Sequence, residues 1–181
     1  QAWEQDIERY RAKYAQGWDA LRTSRHEEMK GKGIVSAKWE ITPRDETVPA
    51  WEDIQEQEWE SLRMSVYAAQ VDRLDQGIGK LLDKLEERDI ADNTLVMFLS
   101  DNGGCAELLR EDGPRGSVRG ETLDGRTVKL GNYVENTPGD ADSFMSYDTQ
   151  WANASNTPFR LYKHWVHEGG IATPLVVHWP A

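Results

Sequence analysis

Cysteine is almost absent: Cys105 is the only one in 181 residues, which excludes an intrachain disulfide framework and any multi-cysteine zinc site. Long apolar runs are missing too. The longest, at residues 95–99 and 174–177, fall far short of the roughly 20 residues that span a bilayer, and no charged-then-apolar leader opens the sequence. Positive charge is scarce, with 21 Lys and Arg against 32 Asp and Glu, a formal net charge of -11 and a pI near 4.8. That field repels phosphate backbones and anionic lipid, so neither nucleic acid nor a membrane surface is expected as a partner. It repels sulfate and phosphate esters as well, so an anionic substrate requires positive charge concentrated locally, as a metal ion or a few placed Lys, Arg or His. Internal repeats and low-complexity tracts are also lacking. What remains is long enough for one ordinary domain with a sizeable core.

The chain opens without Met at Gln1-Ala2-Trp3 and stops at Trp179-Pro180-Ala181 directly after an apolar run. We therefore expect an internal piece of a longer protein, and the compartment is left open. Trp3, Ile7, Tyr10, Tyr14, Trp18 and Leu21 recur in steps of four and three, which predicts one helix over residues 3–21. The mixture of Gly, Pro and charge over residues 30–51 has no period and reads as a long surface connection. A longer helix is predicted over residues 55–87, burying Trp59, Leu62, Val66, Tyr67, Val71, Leu74, Ile78, Leu81, Leu82 and Leu85. Thr94-Leu95-Val96-Met97-Phe98-Leu99 is apolar without alternation, as in a parallel strand buried on both faces. Residues 105–150 form a Gly, Asp and Asn-rich excursion, with a possible hairpin segment at Thr127-Val128-Lys129-Leu130. A final strand is expected at Pro174-Leu175-Val176-Val177-His178-Trp179. The order of these elements predicts an α/β layer system.

Asp101-Asn102-Gly103-Gly104 follows the first apolar strand, at the strand end where open α/β sheets bind ligands. A carboxylate and an amide carbonyl are hard oxygen donors of the kind that Ca²⁺ or Mg²⁺ accepts. Successive strand residues face opposite ways, so both reach one ion only if the backbone bends after Ser100, which Gly103 and Gly104 permit. Asp-Asn-Gly-Gly is also strong turn chemistry, and a plain strand-ending turn stands as the alternative. Two oxygens do not fill a coordination sphere of about six to eight. Lys163, just before Gly169-Gly170, offers a compact cation for an oxyanion, or is simply a solvated lysine. His164 and His167 are three apart but lack a third ligand for zinc. Cys105 follows a glycine pair, yet a reactive thiolate needs a cationic setting, and Glu107, Glu111 and Asp112 supply the opposite. We read it as structural. Trp3, Trp18 and Trp59 lie on helical stripes and are expected in the core.

Four blocks occur in an order that resembles the sulfatase family of the alkaline phosphatase superfamily, specifically its arylsulfatase-like members. They are Asp6-Ile7-Glu8-Arg9-Tyr10 with Gly17-Trp18-Asp19; Tyr67-Ala68-Ala69-Gln70-Val71-Asp72-Arg73-Leu74-Asp75 with Ile78-Gly79; Phe98-Leu99-Ser100-Asp101-Asn102-Gly103-Gly104; and Pro158-Phe159-Arg160-Leu161-Tyr162-Lys163 with Glu168-Gly169-Gly170-Ile171 and Pro174. The resemblance implies a portion of an alkaline phosphatase-like mixed sheet flanked by helices, with residues 1–181 a partial catalytic domain. It implies hydrolysis of small-molecule or carbohydrate sulfate esters with Ca²⁺ and a formylglycine nucleophile made from an active-site Cys or Ser. By position, Asp101 and Asn102 match two calcium ligands of the family, and Lys163 matches a lysine that contacts the sulfate group.

The family's paired aspartates, its C-x-P-S/A-R modification motif and its upstream sulfate-contacting Lys and His have no match here, and Gly104-Cys105-Ala106-Glu107 does not resemble that motif. Ala172-Thr173 also stands where many relatives carry a basic residue after Gly-Gly-Ile. The nucleophile is therefore expected outside these residues, and the 181 residues alone are expected to be inactive. Two other readings are a phosphatase, phosphodiesterase or phosphonate hydrolase of the same superfamily, and a non-catalytic binding domain in which the Asp101 turn and Lys163 have no chemical role.

Overall fold

The computed structural model describes residues 2–109 and 120–181. Its elements are α1 (Glu4–Tyr14), α2 (Gly17–Gly31), α3 (Gln57–Glu86), β1 (Val96–Leu99), β2 (Lys129–Leu130), β3 (Ser143–Phe144), α4 (Asp148–Ser155), α5 (Glu168–Ile171) and β4 (Leu175–His178). Short 3₁₀ turns at Trp51–Asp53 and Ala91–Asn93 join them.

The single helix expected over residues 3–21 is two helices. Gly17 takes φ +81°, and a Cβ there would overlap the Trp51 ring, so the apolar stripe continues through a left-handed residue that redirects the axis. Trp18 beyond the break is 1% exposed, whereas Trp3 is 60% exposed and lies under the Arg73 guanidinium, 4.0 Å from its centroid. The tryptophan stripe is thus core at Trp18 and surface at Trp3. Trp59, the third, is neither a free platform nor deep core: its indole donates to the Asn136 carbonyl (2.9 Å) and its ring lies under Arg63.

α3 matches its predicted span closely but not its predicted face. The N-terminal half buries Met64, Val66, Ala68 and Ala69, while Val71, Leu74 and Leu81 are exposed. α1 packs against the first half and the middle of α3, through two charged clamps as well as apolar residues: Ile7 meets Val66 and Ala69, Asp6 pairs with Arg73, and Asp72 accepts from Arg9 (2.6 Å) and Tyr10 (2.8 Å). The blocks at residues 6–10 and 67–75 are therefore the two sides of one helix interface. The core collects Tyr14, Trp18, Leu21, Val48, Met64, Ala68, Trp151 and Ala154. Its rings meet edge to face, Trp18 with Trp51 at 4.7 Å and with Trp151 at 5.4 Å, a geometry that aligns ring edges with the facing π cloud.

The strand pair departs most from expectation. β1 pairs antiparallel with β4, Val96 opposite His178 and Leu99 opposite Leu175, and every residue of β4 is exposed, as are Met97, Phe98 and Leu99. A strand buried on both faces in a parallel sheet was expected; among the described residues the sheet has two strands, so no layer covers the apolar side chains. The hairpin segment splits: Thr127 bridges Glu121 across a tight turn, while β2 pairs parallel with β3. Helices and short strands are thus mixed in one chain.

The connection over residues 32–50 is not a free surface loop. Val35 and Val48 are buried, Arg22 donates to the Thr42 carbonyl (2.8 Å), and Thr42 in turn donates to the Pro158 carbonyl through its hydroxyl (2.8 Å). It straps the segment that leads to Lys163.

Candidate functional site

β1 ends at Leu99, and the chain bends at residues 101–103 as the two donors required. Thr173 donates to the Ser100 carbonyl (2.7 Å), fixing the start of the bend against the residues preceding β4. The Asn102 amide nitrogen donates to the Gly103 carbonyl (2.8 Å), which leaves its oxygen free to accept. Asp101 is exposed, and its carboxylate has no hydrogen-bond or ion-pair partner among the described residues. One carboxylate and one amide oxygen, both uncommitted, suit a hard cation such as Ca²⁺ and would supply two of its ligands. No group of three or more His, Cys, Asp and Glu that could hold a metal occurs among the described residues, so these residues fit the ion only as part of a site.

Gly103 is required by a close approach more than by the bend itself. Its N–H donates to the Gly170 carbonyl (3.0 Å), and a Cβ at this position would overlap the Gly169 carbonyl. Backbone lies directly on backbone. The Lys163 N–H donates to the Gly104 carbonyl (3.0 Å), so the two segments singled out in sequence, 101–104 and 163–170, are adjacent. Lys163 lies between Leu161 and His164, which hold φ +66° and +81°, an uncommon conformation for residues with a Cβ.

Glu107 organises the charge beside the turn. Its carboxylate oxygen is 2.7 Å from His164 Nε2 and 3.6 Å from the Lys163 ammonium. The hydrogen bond from His164, and then the charge of Lys163, hold the Glu107 carboxyl below its ordinary range, so it stays ionised. The Cys105 thiol lowers the Glu107 carboxyl further, a smaller effect than those of His164 and Lys163. Of the acidic neighbours weighed for Cys105, Glu111 and Asp112 lie outside the described residues. His164 and His167 do not converge on a common ligand set: His164 is committed to Glu107, and the His167 Nδ1 is buried without a partner.

Two residues that sequence reasoning passed over support the turn from beneath. Tyr147 stacks on Tyr67, rings 4.7 Å apart and 9° from parallel, and burial pushes its phenol up to about 12. Asn156 reaches Gly104, Leu161 and Gly169 with one side chain. An Asn after a helix carries no pattern that separates it from an ordinary helix end, and Glu107 lies in a stretch with no period at all. Two hollows elsewhere, one between α1, α2 and the end of α4, the other between α3 and residues 138–147, include neither Asp101 nor Lys163. The donors lie on an open face.

The sulfatase family model matches residues 4–181. An uncharacterized sulfatase of Schizosaccharomyces pombe is 35% identical over 179 residues, 96% of this chain and 31% of that protein. An arylsulfatase of Klebsiella aerogenes is 31% identical over 183 residues, 99% of this chain and 37% of its own length. Steryl-sulfatase of Mus musculus is 31% identical over 114 residues, 63% of this chain and 12% of that protein. The chain thus spans about a third of the length of the first two relatives. With nearly its whole length matched, from α1 through β4, the chain belongs to the sulfatase family.

Proposed function

We propose that these 181 residues form the later part of the catalytic domain of a calcium-dependent sulfatase, a portion of an alkaline phosphatase-like mixed sheet with flanking helices. The whole enzyme hydrolyses sulfate esters of small molecules or carbohydrates, and its formylglycine nucleophile lies outside this sequence. Asp101 and Asn102 contribute two oxygen ligands to the ion, and Lys163 contacts the sulfate group. The ion supplies positive charge to the sulfuryl oxygens as the ester bond breaks.

One observation supports this reading most: the Gly104 carbonyl accepts from the Lys163 N–H at 3.0 Å, which brings the backbone of Lys163 alongside the turn that carries Asp101 and Asn102. A chain with net charge -11 needs such a local arrangement to attract a sulfate ester. The Lys163 ammonium is 3.6 Å from the Glu107 carboxylate and is available to a sulfate group that approaches it. Its ammonium then stabilises charge developing on the ester oxygens.

The test is turnover of an aryl sulfate by the complete enzyme. Asp101→Ala and Lys163→Ala should each lower kcat/KM by about 10²-fold or more, and added Ca²⁺ should raise the activity of metal-stripped wild type. Activity untouched by both substitutions would overturn the assignment. Faster turnover of the matching aryl phosphate than of the sulfate would move the protein to the phosphoester branch.

A further inference from the structure

We propose that Asn156 is a positioning residue that locks the Asp101 turn and the Lys163 segment into a single frame, an inference that rests on the sulfate-ester reading above. Asn156 is the first residue after α4. Its Oδ1 accepts the Gly104 N–H at 2.8 Å, and its Nδ2 donates to the carbonyls of Leu161 (2.8 Å) and Gly169 (2.7 Å). One planar amide thereby joins three separate stretches of backbone: the turn after β1, the approach to Lys163, and α5.

Its own anchorage is firm. Trp151, Ala152 and Ala154 of α4 are fully buried and Asn153 is 1% exposed, so α4 presents Asn156 from a helix packed into the core. The segments it joins also meet directly, with the Gly103 N–H on the Gly170 carbonyl and the Lys163 N–H on the Gly104 carbonyl, but Leu161 and His164 hold left-handed backbone on both sides of Lys163. Such conformations persist only where surrounding contacts over-determine them. The bond from Nδ2 to the Leu161 carbonyl is one such contact, made at the strained residue itself. The pocket under Gly104 admits nothing larger, since a Cβ there would stand 2.6 Å from the Tyr147 hydroxyl and 3.0 Å from Asn156 Oδ1.

The amide's two ends make separable predictions. Aspartate keeps an acceptor for Gly104 but turns a second oxygen toward two carbonyls, which loosens the Lys163 segment while the tie from α4 to the turn remains. Alanine releases both. Asn156 touches neither the ion nor the ester in this scheme and acts through the backbone of residues that do.

The experiment uses the complete enzyme and compares Asn156→Ala with Asn156→Asp at temperatures where circular dichroism shows each variant folded. Three readouts are taken: Ca²⁺ affinity by calorimetry, inhibition by inorganic sulfate, and hydrogen exchange of a peptide covering residues 101–104. Asn156→Ala should weaken Ca²⁺ binding about tenfold, weaken sulfate inhibition, speed exchange at the turn, and lower kcat/KM by about 10²-fold. Asn156→Asp should weaken sulfate inhibition about as much while holding Ca²⁺ affinity within about threefold of wild type. Unchanged kinetics and exchange in a folded Asn156→Ala overturn the proposal. So does a loss that vanishes once activity is scaled to the folded fraction, or an equal loss of both binding events in Asn156→Asp. Asp101→Ala and Lys163→Ala run alongside: if these lower turnover and Asn156→Ala leaves it at the wild-type level, the positioning role alone fails, and if these have no effect the sulfatase reading itself fails.

Discussion

Removing the Glu60 side chain isolates a charge in the core. Arg63 Nη2 donates to both carboxylate oxygens of Glu60, at 2.6 and 2.7 Å, and the two side chains are only 3% and 10% exposed. The same carboxylate accepts from Trp151 (2.9 Å) and Gln150 (3.0 Å), so it stitches α3 to α4. In Glu60→Ala the guanidinium keeps the Trp59 ring, 4.6 Å from its centroid, and two long polar contacts, 3.4 Å to the Ser146 carbonyl and 3.9 Å to Asp148. Breaking a buried pair from one side costs about 3–5 kcal/mol, because the remaining charge is left desolvated. With a urea slope of about 2 kcal/mol/M, the unfolding midpoint should fall by roughly 1.5–2.5 M. Equilibrium urea unfolding, followed by circular dichroism and by tryptophan emission, reads this directly. Glu60→Met with Arg63→Met removes both charges, and its cost should be at least about 2 kcal/mol smaller than the sum of the single variants. A Glu60→Ala midpoint within about 0.5 M of wild type, or strict additivity in the cycle, would refute the claim that this pair is a desolvated charge couple.

Gly103→Ala forces a Cβ into the Gly169 carbonyl; it should abolish sulfate-ester turnover while the helices, monitored by circular dichroism, remain. Tyr162→Phe removes the hydroxyl that donates to Asp45 at 2.7 Å and should cost about 1.5–3 kcal/mol, measured by thermal unfolding. Tyr147 titrates at about 12, raised by burial and then by Tyr67. The unfolded phenol ionises first, near 10, so the stability this group contributes is complete below about pH 10 and is lost as pH rises through about 12, close to 3 kcal/mol in all. Alkaline unfolding of Tyr147→Phe should therefore be the shallower of the two across that window. Equal slopes for variant and wild type count against a buried phenol.

The sequence was legible where periodicity governs structure. α3 was visible because its apolar residues repeat over many turns, and β1 and β4 because short apolar runs lie between turn residues. Periodicity cannot register a left-handed residue, so Gly17 and the break between α1 and α2 were missed. Nor can it say which part of an amphipathic face finds a partner: Val66 and Leu81 belong to the same pattern, but only the first is buried, against Ile7 of α1. The Asp101 turn and Lys163 were singled out by composition and order along the chain. Their adjacency depends on hydrogen bonds between glycine backbones, which have no side-chain signature. Glu107 and Asn156 act through tertiary contacts across 57 and 52 residues, a distance no local rule spans.

The β1–β4 ribbon has a colloidal consequence. Its apolar side chains are wetted on both faces and its outer edges carry free hydrogen-bonding groups, a template that other chains can join. At neutral pH the net charge of -11 keeps copies apart. Acidification toward the pI near 4.8 removes that repulsion without covering the ribbon. Light scattering should therefore rise steeply as the isolated 181-residue chain is taken down to that pH, and charged replacements at Val176 and Phe98, which face each other across the pair, should delay it.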